Sequence, residues 1–298
     1  MSSLTPPNQL TPPSDTGSAS CPRPVVSTAR LSVNQTTTVR WSLPEAVNEY
    51  RAAGVNGIGV SLNRLRECGV ASGARKLKQT GLHATSLGWI GGFTGANGHT
   101  FDDALADARA ALRAAREISA VALIVVPGAQ CGHIRSHARR LLVEALVELT
   151  DQAAGSNVRL ALQPMHPLFE DEWSFLTSLD DTLDILTRFN HTHVGMAFGT
   201  YHLWQEPRLL ERISEFMPYV SLVQLSDWRN PPRCDNDRLL PGDGEIPLHE
   251  IIQAFEAAGY RGSYEMEVWS RDLWKQDHRS LIRECMLRFA QLLAPPSC

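Results

Sequence analysis

Several features that would assign a chain at once are missing from this one. Its six cysteines, Cys21, Cys68, Cys131, Cys234, Cys285 and Cys298, form no CxxC pair and no dense spacing. Zinc ribbons and disulfide-stapled scaffolds are therefore excluded, and reduced thiols are expected. No apolar run approaches the roughly 20 residues needed to cross a bilayer. The N-terminus also lacks the basic-then-apolar order of a signal peptide. The expectation is a soluble cytoplasmic protein with no membrane partner. Lys and Arg number 28 against 32 Asp and Glu, a net charge of -4. That balance gives no basic footprint for a phosphate backbone, so nucleic acid is not expected as a partner. Gly91-Gly92 before Phe93 permits a tight turn, but no further glycines complete a phosphate loop. No nucleotide cofactor is expected.

What is present is ordinary globular material: 298 residues, 43% hydrophobic and 20% charged. This length suits two average domains or one α/β barrel. Residues 1–28 are rich in Ser, Thr and Pro and poor in apolar side chains, so they read as a disordered tail. From residue 29 to 298, short β-type runs alternate with amphipathic stretches. Strands are expected at Leu31–Gln35, Gly57–Ser61, His83–Leu87, Ala120–Val126, Val158–Gln163, Val194–Phe198, Val220–Leu225 and Ser263–Val268. Helices fall between them and after the last, one of them continuous over residues 62–80, and each strand–helix pair is a βα repeat. Ser42 and Thr100 stand as N-caps, and Gly54, Gly81 and Gly259 as stop signals. Eight such units after one tail fit a single-domain (β/α)8 TIM barrel. A doubly wound sheet is the alternative, but it lacks its Gly-rich first turn here.

In a barrel, the loops after the strands share one rim, where such folds place their chemistry. The ends of the later strands are polar here: Gln163-Pro164-Met165-His166, Gly199-Thr200-Tyr201-His202 and Gln224-Leu225-Ser226-Asp227, followed by Tyr264-Glu265-Met266-Glu267-Val268. With Phe198–Trp204, Gln224–Trp228 and Leu240-Pro241-Gly242-Asp243-Gly244-Glu245-Ile246, these segments resemble the sugar phosphate isomerase and epimerase family with the xylose isomerase-like barrel.

The resemblance implies a small sugar-like molecule as partner and a divalent metal, Mn, Mg or Zn, as cofactor. The metal would be held by Glu, Asp, His and Glu at the ends of strands five to eight. The matching positions here are Gln163, Gly199, Gln224 and Glu267. An amide carries no charge and accepts no proton near neutral pH, and glycine offers no side chain. Loss of two carboxylates should weaken binding of a doubly charged ion. Asp227 is then the expected substitute ligand, beside Gln163, Gln224 and Glu267.

The expected catalytic group is Glu267 with His202 and His166. Glu267 serves as ligand or base, and the histidines orient hydroxyls. Trp89, Trp204 and Trp228 are expected to wall the ligand, together with Phe93 and Trp269. Arg229 and Arg238, with Arg233, lie in a polar loop where they can meet an anionic group. Bland roles stand beside each of these: a loop hydrogen bond for His166, a turn cap for Asp227, packing for the tryptophans and a solvated loop for the arginines. Glu265 is expected to be an ordinary strand residue. Two functions remain open. One is an isomerase or epimerase acting by proton transfer on a polyhydroxylated keto or aldo compound. The other is a pseudoenzyme that keeps the pocket and binds a sugar-like ligand or a partner protein. Oligomeric state is left open.

Overall fold

The computed structural model describes residues 28–96, 98–234 and 237–294. The expected tail, apart from Thr28, lies outside the described residues. Eight parallel strands close into a barrel in sequence order. They are β1 (Leu31–Asn34), β2 (Gly57–Ser61), β3 (His83–Gly91), β4 (Ala122–Val126), β5 (Arg159–Leu162), β6 (Val194–Gly199), β7 (Val220–Leu225) and β8 (Tyr264–Met266). The helices are α1 (Leu43–Ala53), α2 (Leu62–Cys68), α3 (Val70–Thr80), α4 (Phe101–Glu117), α5 (Arg135–Ala153), α6 (Leu179–Phe189), α7 (Thr200–Leu203), α8 (Leu209–Phe216), α9 (Leu248–Ala257) and α10 (His278–Leu293).

Local chemistry accounts for many of the boundaries. Ser42 and Thr100 each close a capping box, with Glu45 and Asp103 as the reciprocal partners, satisfying helix donors that would otherwise be orphaned. The continuous helix expected over residues 62–80 is broken into α2 and α3 at Gly69, whose φ of +81° no helix accommodates. The last strand is shorter than expected, ending at Met266, so Glu267 stands just beyond it.

Alternation along the strands sorts the core into two regions. Outward residues such as Phe198, Val223 and Tyr264 join the helices in the main core. Inside the barrel, one side is apolar and small, built from Ala122, Ile124, Val126, Ala161, Ala197 and Leu222. The opposite side is polar: Ser32, Asn34, Thr85, Ser86 and Glu265 are all buried there. Gly59 of β2 makes that polar side possible. A Cβ at Gly59 would lie 2.5 Å from Asn34 Nδ2 and 2.6 Å from Glu265 Oε2, so a side chain there would displace the buried carboxylate. No helix is long and apolar enough to cross a membrane among the described residues.

Candidate functional site

Gln163, Gly199, Gln224, Glu265 and Glu267 share the inward parity of their strands, so all five belong to the barrel interior or its mouth. A Cβ built on Gly199 would meet the His202 ring at 3.1 Å, with Gln163 Nε2 and Gln224 Oε1 each 3.9 Å away. Position 199 therefore opens on the cluster that the strand-end motifs pointed to.

The two glutamines are committed to one another. Gln163 Nε2 donates to Gln224 Oε1 at 2.9 Å, and Gln224 Nε2 donates to Glu265 Oε1 at 3.2 Å. The carboxylate at the foot of this chain fixes the direction of both amides, because it only accepts. Glu265, expected to be an ordinary strand residue, is fully buried and also accepts from Asn34 (2.8 Å), Thr85 (2.7 Å) and Ser86 (2.8 Å). Burial pushes its carboxyl above the ordinary range, against the pull of the Asn34 and Thr85 hydrogen bonds, and the charge of nearby Glu267 adds to the rise.

At the mouth, Arg238 is the central group. Its Nη1 donates to Glu267 Oε2 at 2.5 Å, its Nη2 lies 3.1 Å from His202 Nε2, and its guanidinium sits 4.8 Å from the centre of the Tyr201 ring. The Arg238 side chain is 4% exposed and that of Glu267 13%. His202 also receives the backbone N–H of His166 at its Nδ1, at 3.1 Å. Burial, aided by the charges of Arg238 and His166, pushes the His202 imidazole well below its ordinary range. A neutral imidazole has one N–H and one lone pair. With donors facing both of its nitrogens, one contact must set donor against donor.

His166 is better satisfied. Its Nδ1 accepts from Leu168 N at 3.2 Å and its Nε2 pairs with Gln205 Oε1 at 2.9 Å, while its ring lies 4.7 Å from that of Trp228. Both nitrogens therefore hold the loop after β5. In the same layer, Trp204 Nε1, Trp228 Nε1 and Arg238 Nε are buried donors without a hydrogen-bond partner. Such orphans are rare and call for an acceptor-bearing ligand or water.

Asp227, the expected substitute ligand, is engaged elsewhere. It is fully buried. Its Oδ1 accepts from Trp228 N (2.8 Å) and Ile246 N (3.0 Å), and its Oδ2 from Gly242 N (2.8 Å) and Gly244 N (3.0 Å). The carboxylate organises the loop after β7, with all four contacts coming from backbone. Arg229 also turns away from the ligand role, with Nε 3.2 Å from Asp237 Oδ2, where Arg233 pairs as well.

Beside this closed cluster is an open cleft of about 660 Å³, lined by residues that include Ser61, Trp89, Gly91, Glu172 and Trp173. Trp89, Trp173 and Trp269 contact one another, with ring centres 5.4 to 6.1 Å apart. They form an apolar surface from the cleft to within two residues of Glu267. Trp89 and Trp269 were visible as strand-end aromatics. Trp173 was not, since it follows no strand directly and only its ring contacts reveal it.

The residues present do not fit the divalent ion implied by the resemblance. Gln163 and Gln224 are neutral and paired, Gly199 contributes nothing, Asp227 is bound by backbone, and Glu267 and His202 face a guanidinium. Among the described residues, no group of three or more His, Cys, Asp or Glu side chains is placed to hold a metal.

Residues 47–286 match the family described as the xylose isomerase-like TIM barrel. Inosose isomerase of Bacillus licheniformis is 24% identical over 146 residues, 47% of this chain and 51% of that protein. The chain thus spans about half the length of the curated relatives it matches. Among solved structures, a protein of Sinorhizobium meliloti 1021 superposes with a TM-score of 0.83 at 29% identity, covering 89% of this chain and 99% of the other. A zinc-bound IolI protein gives 0.76 at 17% identity, covering 88% and 97%.

Proposed function

Because this chain belongs to the xylose isomerase-like TIM barrel family, we propose that its mouth takes a small polyhydroxylated aldehyde or ketone and moves a proton on the carbon beside the carbonyl. The observation that carries this reading is Glu267. It lies just past β8, keeps part of its surface open, and shares Arg238 with His202, while Arg238 Nε, Trp204 Nε1 and Trp228 Nε1 are buried donors without a partner. Those donors suit a ligand rich in oxygen acceptors. The likeness to inosose isomerases makes a keto-cyclitol the first candidate.

Glu267 removes the proton from the hydroxyl-bearing carbon, and the C–H pair becomes the C=C bond of an enediol as the carbonyl π pair moves onto oxygen. The hydroxyl proton passes to that oxygen, and the same carboxyl returns the carbon-bound proton to the former carbonyl carbon. Inversion at one carbon would require a second acid on the opposite face. Gln163, at the strand-five position, is a neutral amide that transfers no proton near neutral pH, so a one-base isomerisation fits better than epimerisation.

A second reading is favoured by the Gln163–Gln224–Glu265 chain, in which the interior amides are satisfied by one another. It describes a barrel that binds a sugar-like ligand without turnover. Proton NMR in deuterium oxide with an inosose and a ketohexose separates the two. Isomerisation predicts deuterium at the carbon beside the carbonyl, and Glu267→Gln should slow this by at least roughly 100-fold. Ligand-dependent stabilisation without exchange in the wild type selects the non-catalytic reading. Neither exchange nor stabilisation would sink both.

A further inference from the structure

We propose that Arg238 is the resident cation of this barrel mouth, and that the chain holds its site together and meets its ligand without a divalent metal. The inference rests on the reading of the mouth as a site for a carbonyl ligand, but its test does not require turnover.

Two independent changes agree. The first is the removal of negative charge: of the four positions that the family resemblance assigns to metal ligands, only Glu267 carries a carboxylate. The two glutamines are turned toward one another and toward Glu265, not toward a common centre. The second is the presence of positive charge where an ion would have to compete. Arg238 Nη1 occupies Glu267 Oε2 and Nη2 faces His202 Nε2, so the remaining carboxylate and imidazole both already face a cation. A guanidinium remains charged throughout the accessible pH range. An ion entering the mouth would have to displace it from Glu267 or sit beside a like charge with one carboxylate left.

The same group can supply what an ion would supply to the chemistry. Charge developing on a carbonyl oxygen as Glu267 takes a proton is stabilised by a fixed donor in a water-poor site. Arg238 has an unused buried donor, Nε. With the His202 proton on Nε2, so that Nδ1 accepts from His166 N, the Nη2 contact is the donor-against-donor one, and that N–H is free to meet a ligand oxygen.

The test measures metal directly. Protein purified without chelator is analysed by plasma mass spectrometry, and manganese(II) and zinc(II) are titrated calorimetrically into the wild type, Gln163→Glu/Gly199→Asp, and the same pair with Arg238→Met. The wild type should contain only substoichiometric metal and give no binding heat. The double variant should bind weakly, and the triple variant at least roughly tenfold more tightly, since the competing charge is gone. Stoichiometric metal in the wild type overturns the proposal even if neither variant folds. Equal affinity in the double and triple variants, or none in either folded variant, also overturns it, because Arg238 would then not occupy the place of the ion. Failure of isomerisation alone leaves these metal results unchanged, so the two readings fail separately.

Discussion

Replacing Asp227 with Ala tests how the mouth is built. The carboxylate accepts four backbone N–H groups, those of Trp228, Gly242, Gly244 and Ile246. They are not equal in cost. Gly242 and Gly244 are exposed, so water can replace the carboxylate there, whereas Trp228 and Ile246 are buried at 3% and 6% exposure. A buried donor left without a partner costs about 1–3 kcal/mol. Two of them place the loss at about 2–6 kcal/mol. Asn at this position keeps one acceptor oxygen and turns an NH2 toward the other pair of N–H groups, so Asp227→Asn should lose most of the same stability.

Equilibrium urea unfolding gives the stability change, and amide hydrogen exchange at residues 228 and 246 shows whether the loop opens locally. A loss smaller than about 0.5 kcal/mol for Asp227→Ala, in the range of ordinary surface changes, would refute the account. An Asp227 that served mainly as a metal ligand would behave oppositely, changing metal affinity and leaving metal-free stability nearly intact.

Three further outcomes follow from the interior. Glu265→Gln should stabilise the protein at neutral pH, because its Oε1 can accept from Asn34 and Gln224 while its NH2 donates to the Thr85 and Ser86 hydroxyls. Burial raises the Glu265 carboxyl, so the wild type loses stability as pH rises from the unfolded value near about 4.3 through the folded one. The advantage of the variant in thermal melts should therefore vanish in acid and grow toward neutrality, and a constant difference across pH would refute this. Gly59→Ala should cost about 1–3 kcal/mol in chemical denaturation, since the added carbon lies 2.6 Å from a Glu265 oxygen; a neutral result would show that the carboxylate can move aside. Arg30→Ala should cost about 3–5 kcal/mol by the same measurement, because it strips the 2.8 Å partner from Glu256, whose side chain is 3% exposed. A loss under about 1 kcal/mol, typical of surface pairs, would show that Tyr264 and Arg261 suffice to hold Glu256.

The eight βα units were legible because strand alternation and helix caps are local signals. Ser42 and Thr100, read as caps, close capping boxes in the structure. The places of Gln163, Gly199 and Gln224 at strand ends are legible for the same reason. Partner choice was not. Nothing near Asp227 in sequence announces that Gly242, Gly244 and Ile246 return to it, and Arg238 meets Glu267 across 29 positions. The role of Glu265 is not legible because its partners Asn34, Thr85 and Ser86 come from the first and third strands, about 180 or more residues away. Only closure of the barrel brings β1 beside β8. The break at Gly69 is not legible in the sequence because the apolar spacing continues across it while the backbone does not.

The placement of Arg238 follows from backbone pairing more than from charge. Asp227 and Leu239 exchange two backbone hydrogen bonds at 2.9 and 3.0 Å, Arg238 N donates to Trp269 O at 3.1 Å, and Asp237 bridges to Ser270. Residues 237–239 are thereby pinned to Asp227 after β7 on one side of the arginine and to Trp269 and Ser270 after β8 on the other. Its guanidinium is delivered to Glu267 by a ladder that also depends on the Asp227 carboxylate. A cation held this way stays at high effective concentration, since only side-chain rotation separates it from its partner. A free ion facing the same site must overcome dilution with neutral amides at two positions and no side chain at a third. Loss of Asp227 should thus loosen the loop and release Arg238 from Glu267 together, which links the stability of this segment to the charge balance of the mouth.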